Sequence, residues 1–390
     1  MTKSDDKRVP ALRFKGFTDE WEQRKLGEHI IVSKQKNKDN LSLPAFSISN
    51  KNGFIPQEEQ FGKDNTYSKT DKSSNYIVKP KYFAYNPARI NVGSIAYQNT
   101  ITPVLVSSLY EIFRSDNSID DVFLQYWFRS EYFYKQIQRL QEGGVRQYFF
   151  IDKMRESQIY LTNVSEQNKI GSLISKLDNL LTLQQRKLRQ LKLLKNALLK
   201  RMFTAKKSPT LRFRDFSKDW KLHKLQDITD RLDNARVPVT ASKRIAGSTP
   251  YYGANGIQDY VKGYTHDGEF LLVAEDGANN INDYPVICAK GKIWVNNHAH
   301  VLQAKNKKID ILFLMYALKF LNMKKYLVGG GRSKLNAETM MKLALKLPEL
   351  DEEHNIGVLI KNMDVLITQY KYRIQKINKF KQFLLQNMFI

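Results

Sequence analysis

Two short stretches carry the residues best suited to meet a phosphate or a base edge: GGVRQYFFIDKM at 143–154 and GGGRSKLNAETM at 329–340. In each, glycines precede an arginine, and the next residues read as a capping acceptor and a helix. Glycine lets a backbone approach a ligand closely, and a helix N-terminus favours an anion. Arg146 and Arg332 could therefore reach a phosphate or a guanine edge, with Gln147, Ser333 and Lys334 beside them. An ordinary helix start with a solvent-exposed arginine would look the same. Recurrence in two otherwise different settings favours contact with DNA.

Other polar loops could read bases. Lys51 and Asn52 lie in Asn50-Lys-Asn-Gly53, and Arg89 and Asn91 flank Ile90. Tyr251, Tyr252 and Asn255 belong to a turn-rich run that offers two aromatics and an amide. Asn297, His298 and His300 stand in WVNNHAHVL, whose alternation predicts a strand. Asparagine and glutamine suit adenine, and arginine and lysine suit guanine. The two histidines have no third ligand at a useful spacing, so they read as structural or base-contacting groups, not as a metal site.

Signs of catalysis are missing. There is no GxxxxGK[ST] loop, and Glu275-Asp-Gly-Ala-Asn279 has one glycine, a poor nucleotide cradle. Tyr85-Asn-Pro-Ala88 resembles the Asn-Pro-Pro-aromatic corner of amino-methyltransferases but lacks its second proline and its aromatic. No paired carboxylates with a nuclease lysine are identifiable. The chain reads as a binder rather than an enzyme.

Composition agrees. The 390 residues can form two or three domains with cores of their own. Lys and Arg number 63 against 39 Asp and Glu, a formal charge of +24. Such a surplus attracts polyanions, because each neutralised phosphate releases a condensed counterion. A highly soluble or ribosome-associated basic protein is the plainer alternative. A single cysteine, Cys288, excludes internal disulfides and CxxC zinc sites. No apolar run of membrane length and no signal-peptide core is present, so a cytoplasmic location without membrane contact is expected.

The elements that must position these loops are repeated. LRFKGFTDEW at 12–21 returns as LRFRDFSKDW at 211–220, an offset of 199. The segment 161–203 aligns without a gap on 347–389, an offset of 186, with Glu166, Ile170, Gly171, Asp178 and Phe203 answered by Glu352, Ile356, Gly357, Asp364 and Phe389. Both segments have helical periodicity, and Leu177, Leu181, Leu188 and Leu191 share an apolar stripe, as do Met363, Ile367, Ile374 and Ile377. One-faced helices must bury that stripe, either on their own domains or on each other. Mutual pairing would stabilise each helix by roughly 1.5–3 kcal/mol per large side chain buried. About 39 residues at 1.5 Å rise make a rod of roughly 58 Å. The repeat is also circular, since the segment that should follow the second helix is the one that opens the chain. Two halves related by a pseudo-twofold axis, with the helices antiparallel, satisfy this pattern. Between clasp and helix, FLQYWF (123–128) answers FLMYAL (313–318), while the rest of the two blocks diverges.

With its two clasps, the EQNKIG and EEHNIG helix starts, and the phrases YYGANGIQDY and WVNNHAHVL, the chain resembles the specificity subunits of type I restriction–modification enzymes. The resemblance covers nearly the whole chain. It implies an α+β protein in which two pseudo-twofold-related α/β target-recognition domains are joined by two long antiparallel helices forming a coiled coil. The domains would be 1–160 and 204–346, and the spacer helices 161–203 and 347–390. It implies binding to double-stranded DNA at a bipartite site with a fixed gap. Two modification subunits and the restriction subunits are implied as partners. This chain would hold no cofactor; methyl donor, ATP and Mg would sit on the partners. A self-contained DNA-modifying enzyme and a basic coiled-coil scaffold without sequence preference remain the competing expectations.

Overall fold

The computed structural model describes residues 9–50, 52–61, 71–143, 147–203, 208–305, 309–329 and 333–390. The fold is α+β and divides into two units, one of residues 1–184 with 373–390 and the other of 185–372. Both long helices are present, Val164–Met202 with 39 residues and Leu350–Asn387 with 38. Each unit therefore holds one half of each helix. Among the described residues no helix is long and apolar enough to cross a membrane.

Inside each unit the two helical halves run antiparallel. In the first, Lys381 pairs with Asp178, while Phe389 packs on Phe123, whose backbone N lies against Gly171. In the second, Lys195 pairs with Asp364, while Phe203 stacks on Phe313, whose backbone N lies against Gly357. Rising positions on one helix thus meet falling positions on the other. The stripe residues divide accordingly. Leu181, Met363 and Ile367 are buried, and Leu177, Leu188, Leu191, Ile374 and Ile377 are half-buried. The helices pack on each other and on their own blocks at once, so the two options for burying the stripe are both realised.

The clasp is a scaffold part. Arg13 forms two bonds to the fully buried Glu166, at 2.7 and 2.8 Å, and Arg212 forms the same pair to Glu352, both at 2.8 Å. A bidentate guanidinium–carboxylate pair fixes orientation as well as charge. Trp21 and Trp220 are buried edge-on against Phe123 and Phe313. The circular repeat is visible in one backbone bond. Leu12 N–H donates to Asn387 O at 2.8 Å, as Leu211 N–H donates to Arg201 O at 3.0 Å. After each clasp a strand pairs antiparallel with the strand that leads into a long helix: Glu22–Lys25 with Gln158–Leu161, and Lys221–Lys224 with Ala344–Leu347.

The blocks differ. The first carries a four-stranded antiparallel sheet in the order Ile30–Val32, Glu111–Ser115, Phe83–Tyr85, Ile95–Tyr97, plus two strand pairs, Phe46–Ser49 with Gly53–Pro56 and Tyr76–Val78 with Val104–Val106. The second carries six strands in the order Thr229–Arg231, Ala299–Ala304, His266–Ala274, Val286–Val295, Ala246–Gly253, Gly256–Val261. Within it, Ala246–Gly253 runs parallel to Val286–Val295. Each block is mounted by one helix, Asp121–Trp127 or Ile311–Phe320, on the long helices. Asp120 and Asp310 cap those mounting helices through Phe123 N and Phe313 N, at 2.8 and 2.9 Å. Tyr126 and Tyr316 then donate to Asp178 and Asp364, at 2.9 and 2.8 Å.

Candidate nucleic-acid interface

In the second unit four segments converge. Asn255 donates to Gly277 O and accepts from Asn279 N, both at 2.9 Å. His298 Nδ1 lies 2.6 Å from Asp276 Oδ1, and Glu275 N donates to His298 O at 2.9 Å. Leu335 N donates to Glu275 O at 2.7 Å, and Lys334 Nζ is 2.8 Å from Glu275 Oε1. Asn255, His298, Ser333 and Lys334 are thereby gathered around the turn that follows strand His266–Ala274, with exposed Asn297 next to His298.

Three expectations need correction here. WVNNHAHVL is not one strand: Val286–Val295 ends, residues 296–298 turn, and Ala299–Ala304 begins, so Asn297 and His298 stand on a turn. Tyr251 and Tyr252 are buried, 1% and 8% exposed, and do not offer their rings to a duplex. Tyr251 Oη instead accepts from Val239 N at 3.0 Å and donates to Val239 O at 3.2 Å, with the Arg244 guanidinium 4.2 Å from its ring centre. Apolar neighbours on a curved sheet outcompeted solvent for these aromatics. The glycine loops do precede helices, Ile151–Glu156 and Ala337–Met341, but neither Phe150 nor Asn336 makes a side-chain cap bond. A short pairing intervenes instead, Leu327–Val328 with Lys334–Leu335 in one unit and Glu142 with Tyr148 in the other.

In the first unit, Asn52 lines a cleft of about 290 Å³ with Tyr97, Asn99, Gln125 and Arg129. Asn91 lines another of about 390 Å³ with Asn50, Glu131, Tyr134 and again Arg129. Arg89 is exposed on the same turn as Asn91, and that turn is tied to the glycine-loop stem where Phe149 N donates to Pro87 O at 3.1 Å. Exposed Gln147 lies two residues before that bond. Lys51, Arg146 and Arg332 lie outside the described residues.

Arg129 was missed by sequence reasoning. Its side chain is 52% exposed and 3.5 Å from Asp178 Oδ2. A signal was present: extending the FLQYWF/FLMYAL alignment by one residue sets Arg129 opposite Lys319, a cation in both blocks.

The charges of the second site are internally balanced. Burial pushes the Glu275 carboxyl up, but hydrogen bonds from Lys334 and Arg236 outweigh it and leave the group below its ordinary value. Burial likewise opposes ionisation of Asp233, and bonds from His300 and Val301 N win, so it too titrates low. Among the described residues no group of three His, Cys, Asp or Glu side chains is placed to hold a metal ion.

Two mounted blocks on repeated helices, each ending in polar loops, are the architecture of a known family. The type I restriction modification DNA specificity domain matches this chain twice, over residues 18–193 and 217–379, and the chain belongs to that family. A putative type I restriction enzyme specificity subunit of Haemophilus influenzae is 41% identical over 151 residues, 39% of this chain and 38% of its own length. This chain thus spans well under half of that relative in the match. A putative MjaX specificity subunit of Methanocaldococcus jannaschii is 19% identical over 397 residues, 93% of this chain and 91% of that one. The fold is shared with the S subunit of a type I restriction–modification system from M. genitalium, with a TM-score of 0.64 at 15% identity over 98% of this chain and 99% of that one.

Proposed function

We propose that this chain is a DNA-binding specificity subunit, non-catalytic itself, that reads a bipartite sequence with an unread gap and directs methylation and restriction by partner subunits. The observation that carries this reading is repetition with a difference. The two units share the joints between clasp, block and helix, and they differ in the loops that surround Asn91 and Arg129 in one and Asn255 and His298 in the other. Different half-sites require different loops, and a fixed gap requires the same mounting twice. On this reading 1–160 and 204–346 are the target-recognition domains, and 161–203 and 347–390 are the spacer helices. Helices of 39 and 38 residues measure about 58 Å, beyond one DNA turn of about 34–36 Å. The charge of +24 supplies phosphate affinity.

Two modification subunits would dock on repeated surface. Leu180 and Phe380 are exposed in the first unit, and Leu366 and Leu194 in the second; these are equivalent positions of the helical repeat. Equal patches suit two copies of one partner. The methyl donor, ATP and Mg belong on the modification and restriction subunits, and the complex would work on cytoplasmic DNA.

The test is to sequence methylated bases in host cells with and without the gene, its modification partner being present. One bipartite motif should appear only with the gene. Unchanged methylation in an active system would overturn the reading.

A further inference from the structure

Beneath the hairpin Leu327–Val328/Lys334–Leu335 of the second unit lies a cluster of charged groups that the scaffold does not explain. His300 is 1% exposed, with Nδ1 2.7 Å from Asp233 Oδ2 and Nε2 2.9 Å from Leu335 O. Both partners are acceptors, so the two bonds coexist when each ring nitrogen carries a proton. Asp233 also accepts from Val301 N at 2.8 Å. Arg236 bridges the two acids, 3.6 Å from Asp233 and 2.7 Å from Glu275, and donates to Ala299 O at 3.0 Å. Glu275 holds the Lys334 ammonium with its side chain and the Leu335 amide with its carbonyl. The hairpin stem is therefore fixed at three points, the Lys334 side chain and the Leu335 N–H and C=O, by groups anchored in the sheet.

The joints that both units need recur in both: Arg13 and Arg212, Asp120 and Asp310, Tyr126 and Tyr316. Among the described residues of the first unit this cluster does not recur. In the first unit the corresponding stem is held by Phe149, 1% exposed and edge-on to Phe133, with one backbone bond to Pro87. An apolar anchor thus suffices to hold such a stem, and a buried ionic cluster is a costly way to gain stability alone. What a fully bonded polar network does supply is a single geometry. Base readout needs that, because a donor displaced by a fraction of an ångström loses its partner.

We propose that Glu275 and His300 are positioning residues for sequence choice: without touching DNA they fix where Ser333 and Lys334 stand, and so set which bases the second unit accepts. The proposal rests on the DNA-specificity reading above. It also reassigns Lys334 from direct DNA contact to the exposed arm of the lock.

The test uses the full chain with its modification subunits and reads the methylated motif one half-site at a time. Glu275→Gln should relax base preference in one half-site by on the order of tenfold and leave the other unchanged. Lys334→Met, which opens nothing buried, should relax the same half-site, and Lys334→Arg should restore it. An unchanged motif in both Glu275→Gln and Lys334→Met complexes would overturn the proposal. So would a Lys334→Met effect spread evenly over all sequences, the mark of a phosphate contact, or an equal loss at both half-sites, the mark of a folding defect. A wild-type complex that marks no bipartite motif would overturn the DNA-specificity reading, and this proposal with it.

Discussion

The first unit anchors the stem before its helix Ile151–Glu156 on a phenylalanine, and the second anchors the matching stem on a buried, hydrogen-bonded histidine, yet both mount their blocks by the same side chains. Phe149 and the Asp233–Glu275–His300 cluster do equivalent work by unlike chemistry. Arg13–Glu166 and Arg212–Glu352 do equivalent work by identical chemistry. The difference separates two layers of constraint. A mounting must present any block at one angle to the helices, so its geometry is reproduced. On the proposed reading a DNA-facing surface must suit one half-site, so its supports are free to diverge.

Breaking the mounting should give the largest effects, equal in the two units. Arg13→Met and Arg212→Met each take the guanidinium from a fully buried glutamate, at a cost of about 3–5 kcal/mol, although Glu166 keeps a bond from the Thr162 hydroxyl. Urea unfolding should show matching losses. A loss confined to one variant would mean that the two pairs are not equivalent. Next in size come the helix glycines. A Cβ at Gly171 would stand 2.9 Å from Phe123 N, and one at Gly357 3.0 Å from Phe313 N. The long helix touches the start of the mounting helix there, and backbone cannot retreat as a flexible side chain can. Gly171→Ala and Gly357→Ala should each cost about 1–3 kcal/mol by the same unfolding measurement. If either variant is neutral, that mounting tolerates a shift and the close contact is not what sets the block's angle.

These joints were largely legible in the sequence. The offsets of 199 and 186 placed the clasps and helices and matched Gly171 with Gly357, but nothing in the sequence showed that a backbone lies against those glycines. The circular order was readable too, and the bond from Leu12 to Asn387 is its physical form. Less could be read where the blocks diverge, because no second copy constrains the reading. Tyr251 and Tyr252 sit in a turn-rich run, and burial there depends on a six-stranded sheet whose neighbouring strand Val286–Val295 lies far along the chain. The turn at 296–298 hides within a run whose alternation imitates a strand. His300 was named only alongside Asn297 and His298, because its partners, Asp233 and Leu335, are far away in sequence.

One mounting position breaks the repeat and allows the finest test. Gln167 accepts from Asp120 N at 2.9 Å and donates to Thr162 O at 2.7 Å. The matching residue is Glu353, which accepts from Asp310 N at 2.7 Å. Burial pushes the Glu353 carboxyl up to about 8 from an ordinary 4.5, and the charge of Asp310 adds to this against the bond from its amide. Between those values the folded chain holds a proton that the unfolded chain has released, so stability falls as pH rises. The contribution is complete below about pH 4.5 and lost by the time pH passes about 8. A neutral amide at this position has no such slope. Glu353→Gln should therefore change the urea midpoint little at pH 5 and raise stability at pH 8.5 by on the order of 3–4 kcal/mol. Gln167→Glu should import the slope into the first unit. If Glu353→Gln leaves the pH dependence as it was, the carboxyl is reached by solvent and the two mountings are equivalent even here.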